Sequence, residues 1–390
     1  MARAPTAPEI EDLPESDCLE GFPHPRETRA LYGYGSAEAT FLEAFSSGRM
    51  HHAWLLVGPP GIGKATFAYR AARHVLAPRE ARDPFGRSLD IDPDERTAHL
   101  IAGQAHPELV VIRRPYDLKT KKFKSEIIVE EVRRLRSSMV LSRDPDQWRV
   151  VIIDAADDLN ISAANALLKS LEEPPPRTLY LLIATSARQI LPTIRSRCRV
   201  LLIRSLATED FRRAVTQALG ASHDTVTATM PTADQWSLLE RLSGGSVRQA
   251  LSLHAASGLD LYNRICQLLS GLPSLDWAAV HALGDDLSSP ASETRFELFE
   301  TLLLGLLSRA VRQTAEGSAT ANPDAPADGA LETALTRTIV GPGPLAPWAQ
   351  LWETLVADKA EAAALNLDRK ALILSAFQRI EAAARRSRAA

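Results

Sequence analysis

The sequence predicts an α/β fold with a parallel sheet, followed by an all-helical C-terminal region. Two observations predict it. Five short apolar runs recur between Ala53 and Ile203, with helical patterns between most of them. Beyond about Leu206 the strand-like runs cease.

The runs are "AWLLV" (53–57), "LVVI" (109–112), "RVVII" (149–153), "LYLLIA" (179–184) and "RVLLI" (199–203). Each is nearly continuous rather than alternating, as strands buried on both faces are. Between them, one helix is expected after Lys64, one over "IVEEVRRLRSSM" and one over "SAANALLKSLEE". In the last, Ala164, Leu167, Leu168 and Leu171 fall on one face, and Pro174 to Pro176 stop the helix. Strands alternating with helices imply a doubly wound domain. Downstream, "SLATEDFRRAVTQALG" and "TADQWSLLERLSGGSVRQALSLHAA" read as a small helical bundle. A second helical region starts near Leu261 and is interrupted by "EGSATANPDAPADGA" (316–330), whose composition predicts a disordered loop. The expected domains are a disordered leader over 1–25, an α/β core over 26–205, a helical lid over 206–260 and a helical domain over 261–390.

The chain of 390 residues is too long for one ordinary core. A net charge of −3 gives no global attraction to nucleic acid or to an anionic membrane. Cys18, Cys198 and Cys266 are odd in number and far apart, which is neither a disulfide framework nor a zinc spacing and suits a reducing cytosol. No apolar run approaches the ~18 residues that span a bilayer. The N-terminal stretch lacks the apolar core of a secretory signal.

The stretch "GPPGIGKAT" follows a predicted strand and opens a predicted helix, the setting of a phosphate-binding loop. Gly58, Gly61 and Gly63 let backbone amides curl round an anion, and Lys64 is placed for the β/γ-phosphates. A plain strand-to-helix turn explains the glycines but gives the lysine no packing reason. Ala65 stands where a Ser or Thr normally lends its hydroxyl to Mg²⁺. Thr66 is one position late. The strand "VVIID" ends at Asp154, the Asp that supports a metal in such folds, yet Ala155 replaces the Glu that orients the attacking water. Asp157 and Asp158 read as a strand-end cap. Both losses fall on the metal and the base, while the phosphate cradle survives. That combination predicts nucleotide binding without hydrolysis.

The segments "GRMHHAWLLVGPPGIGKAT", "GQAHPELVVI", "NALLKSLEEPPPRTLYLLIATSARQILPTIRSRCRV" and "NLDRKAL" closely resemble the bacterial DNA polymerase III clamp loader subunits of the AAA+ family. The resemblance implies an α/β AAA+ P-loop core, a small helical lid and an all-α collar. It implies gamma/tau and delta partners in a five-subunit ring that places the sliding clamp on primed DNA in the cytoplasm, with no membrane contact. Ser196-Arg197-Cys198 matches the family's "SRC" motif, whose arginine reaches ATP held by the neighbouring subunit. Read alone, Arg197 is a surface arginine before an edge strand. Thr185 falls at the family's sensor position, where a strand-capping Thr is an equal local explanation. Arg248 matches the second sensor, and if Ser246 caps its helix the arginine lies in the first turn, against the helix dipole. Many relatives carry a four-cysteine zinc module between the first helix and the second strand. The interval 79–107 contains no cysteine, so no zinc is expected. The expected cofactor is either none, or ATP or ADP held with weak dependence on Mg²⁺. The function these residues imply is that of a non-hydrolysing clamp loader subunit with Arg197 as a finger in trans. The rival is a gamma/tau-type subunit that hydrolyses ATP itself. A P-loop kinase is disfavoured, because no second substrate site is visible.

One basic stretch, "RRPYDLKTKKFKSE" (113–126), carries six basic residues with Tyr116 and Phe123 interleaved. It reads as a solvated hairpin in preference to a phosphate-contacting patch.

Overall fold

The computed structural model describes residues 14–28, 30–140, 147–222, 229–289, 292–315, 336, 340, 344–365 and 367–389. The chain divides into two compact units, Met1–Met230 with Ser243–Leu251, and Pro231–Leu242 with Ser252–Ala390.

The first unit is built on strands β1 (Ala53–Val57), β2 (Leu109–Arg113), β5 (Arg149–Asp154), β6 (Thr178–Ala184) and β7 (Arg199–Leu202). They form one parallel sheet in the order β2-β5-β6-β1-β7. The five apolar runs become these strands within a residue at each end. Their hydrophobic continuity has a simple cause. Trp54, Leu56, Val150, Ile152, Leu179 and Leu181 face one core, with helices α1 (Gly35–Ser46) and α2 (Lys64–Leu76). Ala53, Leu55, Val151, Ile153, Tyr180 and Leu182 face a second core, with α4 (Val129–Val140) and α5 (Ile161–Glu172). Alternate residues of each strand therefore meet apolar neighbours on both sides. β7 is the edge and departs from this: Val200 and Leu202 are exposed.

Local signals set the helix ends. The Asn160 side chain accepts a hydrogen bond from the Ala163 amide at 2.8 Å and starts α5. Ala164, Leu167 and Leu171 are buried, as the spacing predicts. The cysteine-free interval after α2 holds a 3₁₀ turn (Arg79–Ala81), an antiparallel bridge between Arg82 and Ile91, and helix α3 (Arg96–Ala102). Leu89 and Ile101 insert into the first core. Between β2 and α4, β3 (Tyr116–Asp117) and β4 (Lys122–Phe123) pair antiparallel, with the Tyr116 and Phe123 rings 5.3 Å apart edge to face. The basic stretch is thus a short hairpin, except that Arg113 ends β2 and points its charge elsewhere.

Two stretches are placed by tertiary contacts rather than by local pattern. Residues 1–13 lie outside the described residues, but 14–25, expected from composition to end a disordered leader, pack within the first unit. Phe22, Asp17 and His24 are buried there. The physical reason is a network of buried charges, described below. Helix α7 (Thr208–Gly220), expected in a lid, belongs to the first unit, with Phe211, Val215 and Leu219 buried. Arg213 of α7 lies over the Tyr32 ring at 4.4 Å, which ties the helix to that unit.

The second unit is helical among the described residues. It holds α8 (Ala233–Ser243), the end of α9 (Val247–Ala255), α10 (Gly258–Ser270), α11 (Trp277–Leu287), α12 (Glu293–Ala315) and two C-terminal helices, Ala346–Leu365 and Arg369–Ala389. Phe296, Phe299, Leu303, Phe377 and Ile380 are among its buried side chains. Buried Glu381 accepts the Leu275 amide at 3.0 Å. The loop expected over 316–330 lies outside the described residues. No helix among the described residues is long and apolar enough to cross a membrane.

Leu55, fully buried at the centre of β1, makes a direct test of this core. Leu55→Ala is expected to cost about 2–5 kcal/mol, read as a lowered urea midpoint by far-UV circular dichroism.

Candidate functional site

The site lies at the C-terminal edge of the sheet, where open α/β sheets place their ligands. β1 ends at Val57, and residues 58–63 carry the chain into α2. Gly58 has no room for a side chain, since a Cβ there would collide with the carbonyl oxygen of Ile203. Gly61 has φ +71°, and a Cβ on it would stand 2.8 Å from the Arg248 Cβ. The first turn of α2 has no side-chain cap and no acidic residue, so its amides remain available to an anion. The Tyr34 hydroxyl donates to the Ile62 carbonyl and braces the loop from outside.

Lys64 is buried, and its ammonium donates to the carbonyls of Gly58, at 2.7 Å, and Pro59. Burial lowers its pKa, against the opposing charges of Asp154 and Asp157. A cavity of about 620 Å³ opens in front of the loop. Among its lining residues are Gly61, Gly63, Lys64, Thr66, Asp154, Thr185 and Arg248, so the fold brings nearly all the expected nucleotide-site residues together. Ala65 and Ala155 line the same cavity. No hydroxyl projects at the position after the lysine, and no carboxylate at the position after Asp154.

Asp154 is pushed up to about 7, chiefly by burial and also by the negative charge of Asp17, while Lys64, Arg248 and Arg113 oppose the shift. Asp157 is turned away to the strand end, where one carboxylate oxygen accepts the Thr185 amide at 2.8 Å. Asp158 pairs with Arg114 at 3.2 Å. Asp157 thus serves a strand end, as a cap does, while Asp158 lines the cavity. Ser246 caps α9 by accepting the Gln249 amide at 3.2 Å, which puts Arg248 in the first turn. The Arg248 amide donates to the Gly61 carbonyl at 3.1 Å, joining this helix to the loop.

Arg197 is not among the residues lining the cavity. It stands between α6 (Pro192–Arg195) and β7. One Nη reaches the Thr193 carbonyl at 2.9 Å, and the other pairs with Glu172 at 2.8 Å. Its side chain is about one-third exposed. The neighbouring Cys198 is pushed up to about 12 by burial and remains a thiol.

The sequence is similar to those of known proteins. The profile of the family described as "DNA polymerase III, delta subunit" matches residues 35–207. "DNA polymerase III subunit delta'" of Escherichia coli is 30% identical over 271 residues, which cover 68% of this chain and 72% of that one. The chain belongs to the delta' family of DNA polymerase III subunits. The delta' protein of Pseudomonas aeruginosa is 30% identical over 275 residues, covering 68% of this chain and 74% of that one. "DNA polymerase III subunit tau" of Salmonella typhimurium is 31% identical over 209 residues, covering 53% of this chain and 29% of that one. The fold has the expected parallel sheet flanked by helices, with a helical region after it.

One group of cavity residues is invisible in the sequence. Asp17 lines the cavity and is held by Arg113 at 2.8 Å, His24 at 3.1 Å and the Tyr69 hydroxyl at 3.2 Å. Glu15 pairs with His24 at 2.7 Å, with Arg113 at 2.6 Å, and with Arg26. Burial would raise the Glu15 pKa, but its bond to His24 and the charge of Arg113 outweigh that and hold it at about 2. His24 moves up, because its bonds to the two carboxylates outweigh burial. No motif announces these residues, since Arg113 lies 96 positions from Asp17.

Asp154 makes the electrostatics testable. Its ordinary value is 3.8 and its folded value about 7, so the folded chain holds more protons between those limits. Stability from this group therefore falls as pH rises from about 4 to about 7, and the full penalty stands above that. Asp154→Asn is expected to raise the urea midpoint at about pH 8 and to raise it less at about pH 5. An equal shift at both would show that the carboxyl is not strained by burial.

Proposed function

We propose that this chain is a non-hydrolysing subunit of the DNA polymerase III clamp loader, completing a neighbour's ATP site while its own stays silent. One observation carries the reading: Ala65 and Ala155 both line the cavity that holds Lys64 and Asp154. The loop amides, Lys64 and Arg248 fit the phosphates of ATP or ADP, and Thr66 and Thr185 stand beside them. The position that normally gives Mg²⁺ a hydroxyl and the position that normally orients water both carry methyl groups. Nucleotide bound here would be held by its phosphates, with little help from the metal and no base to activate water.

Arg197 supports the second half of the reading. It lies outside this chain's own cavity, is partly exposed, and is held at the surface by the Thr193 carbonyl and the Glu172 carboxylate. Exchanging these surface partners for the developing charge of a γ-phosphate on another subunit would make it a finger in trans. Its partners would be gamma/tau and delta subunits, of which gamma and tau are also relatives of this chain. In a ring of five with them this chain would act on the sliding clamp and on primed DNA in the cytoplasm, its helical C-terminal region serving as the collar.

The test assembles this chain with gamma/tau and delta partners and measures clamp- and DNA-stimulated ATP turnover. Arg197→Ala is expected to slow the site it completes by about 10³-fold, with the ring still forming on size exclusion. Unchanged turnover would sink the trans role. Steady ATP hydrolysis by the purified chain alone would favour a gamma/tau-type enzyme instead.

A further inference from the structure

Among the described residues, each cation at the mouth of the nucleotide cavity is already engaged by the protein. Arg248 spends both terminal guanidinium nitrogens on backbone carbonyls of the N-terminal segment, Asp17 at 3.0 Å and Cys18 at 2.9 Å. Arg113, outside the cavity lining, holds the lining residue Asp17 with one nitrogen and Glu15 with another. Arg114 pairs with Asp158. Lys64 is folded back onto its own loop. The same N-terminal segment supplies Ser16, Asp17, Leu19 and Phe22 to the cavity wall.

We propose that residues 14–28 form an intramolecular strap that competes with a nucleoside polyphosphate for Arg248 and for the mouth of the cavity. This deepens the nucleotide-site reading above and rests on it. Three physical features carry the proposal. The carbonyls of Asp17 and Cys18 take the place of anionic oxygens on a guanidinium beside the phosphate loop. The Asp17 carboxylate adds a fixed negative charge close enough to raise Asp154, so an incoming polyphosphate meets two carboxyl groups and an arginine already bonded. The strap is tied down at several points and does not drift over the site. Arg73 holds the Arg26 and Thr28 carbonyls at 2.9 and 2.8 Å, and Ser222 holds the Gly21 carbonyl at 2.8 Å.

The consequence is a shift in populations. If only the strap-released form accepts a polyphosphate, the apparent dissociation constant is the intrinsic one divided by the released fraction. Weakening the strap then tightens binding, although it removes contacts from the cavity wall. A strap that is simply part of the binding wall gives the opposite sign.

The experiment is a fluorescence titration with N-methylanthraniloyl-ATP on three proteins: the intact chain, the full chain carrying Glu15→Gln with Asp17→Asn, and a chain lacking residues 1–20. Both altered chains are expected to bind the probe at least about tenfold more tightly, and Arg248→Ala in the shortened chain should remove the gain. Equal or weaker binding by the altered chains overturns the strap, and so does absence of binding in all three. The double substitution preserves side-chain shape, so the question survives a shortened chain that fails to fold. In the intact chain, hydrogen exchange of amides 14–28 should quicken at saturating probe; unchanged protection at saturation overturns the proposal. Tightened binding together with ATP turnover by the shortened chain would support the strap while overturning the non-hydrolysing reading.

Discussion

β1 is closed in on every side, and the rest of the first unit follows from that. Its five residues are buried, with β6 paired along one edge and β7 along the other. A strand so enclosed has one exit, at its C-terminal end. There the Gly58 amide bonds to the Ala184 carbonyl at 3.3 Å, and the Ile203 carbonyl crowds the position a Cβ would need. The chain must turn sharply before α2 begins. The turn leaves the helix's first amides uncapped, facing open space. An anion cradle is thus a by-product of closing the sheet, and it survives whatever happens to the groups that would do chemistry in it.

That independence explains how both alanines are tolerated. Ala65 lies in the first turn of α2, packs against the first core, and is a strong helix former. Replacing a hydroxyl there costs the fold nothing. Ala155 follows the last residue of β5, where the Asp157 carboxylate already accepts the Thr185 amide at the end of β6 and Asp158 pairs with Arg114. Neither position bears a structural duty that a polar side chain would have discharged. Catalytic groups can be lost from such a site while the site keeps its shape.

The charges around the cavity obey a different rule. Buried ions demand partners, and their cost is met only by a network in which each has several. Asp17 and Glu15 satisfy this through His24, Arg26 and Arg113, drawn from the N-terminal segment and from the end of β2. The network orders a segment whose composition alone predicts disorder. It also places a negative charge beside Asp154, so one cluster shapes both the fold of the N-terminal region and the electrostatics of the cavity.

The sequence by itself determined the strands, because each must be apolar on both faces and so reads as an unbroken hydrophobic run. It determined the loop from Gly58 to Lys64 and the alanines at positions 65 and 155, because those features are local in the chain. It placed the tip of the basic stretch as a hairpin for the same reason. Only the tertiary structure decided that α7 sides with the sheet, that Arg113 leaves the basic stretch to bind Asp17, and that Arg248 closes on the N-terminal carbonyls. Arg248 and Cys18 stand 230 positions apart. A periodicity or a motif reports only what neighbours along the chain require. The pairing of buried charges is set by which groups the folded backbone happens to bring within bonding distance, and no local pattern records that.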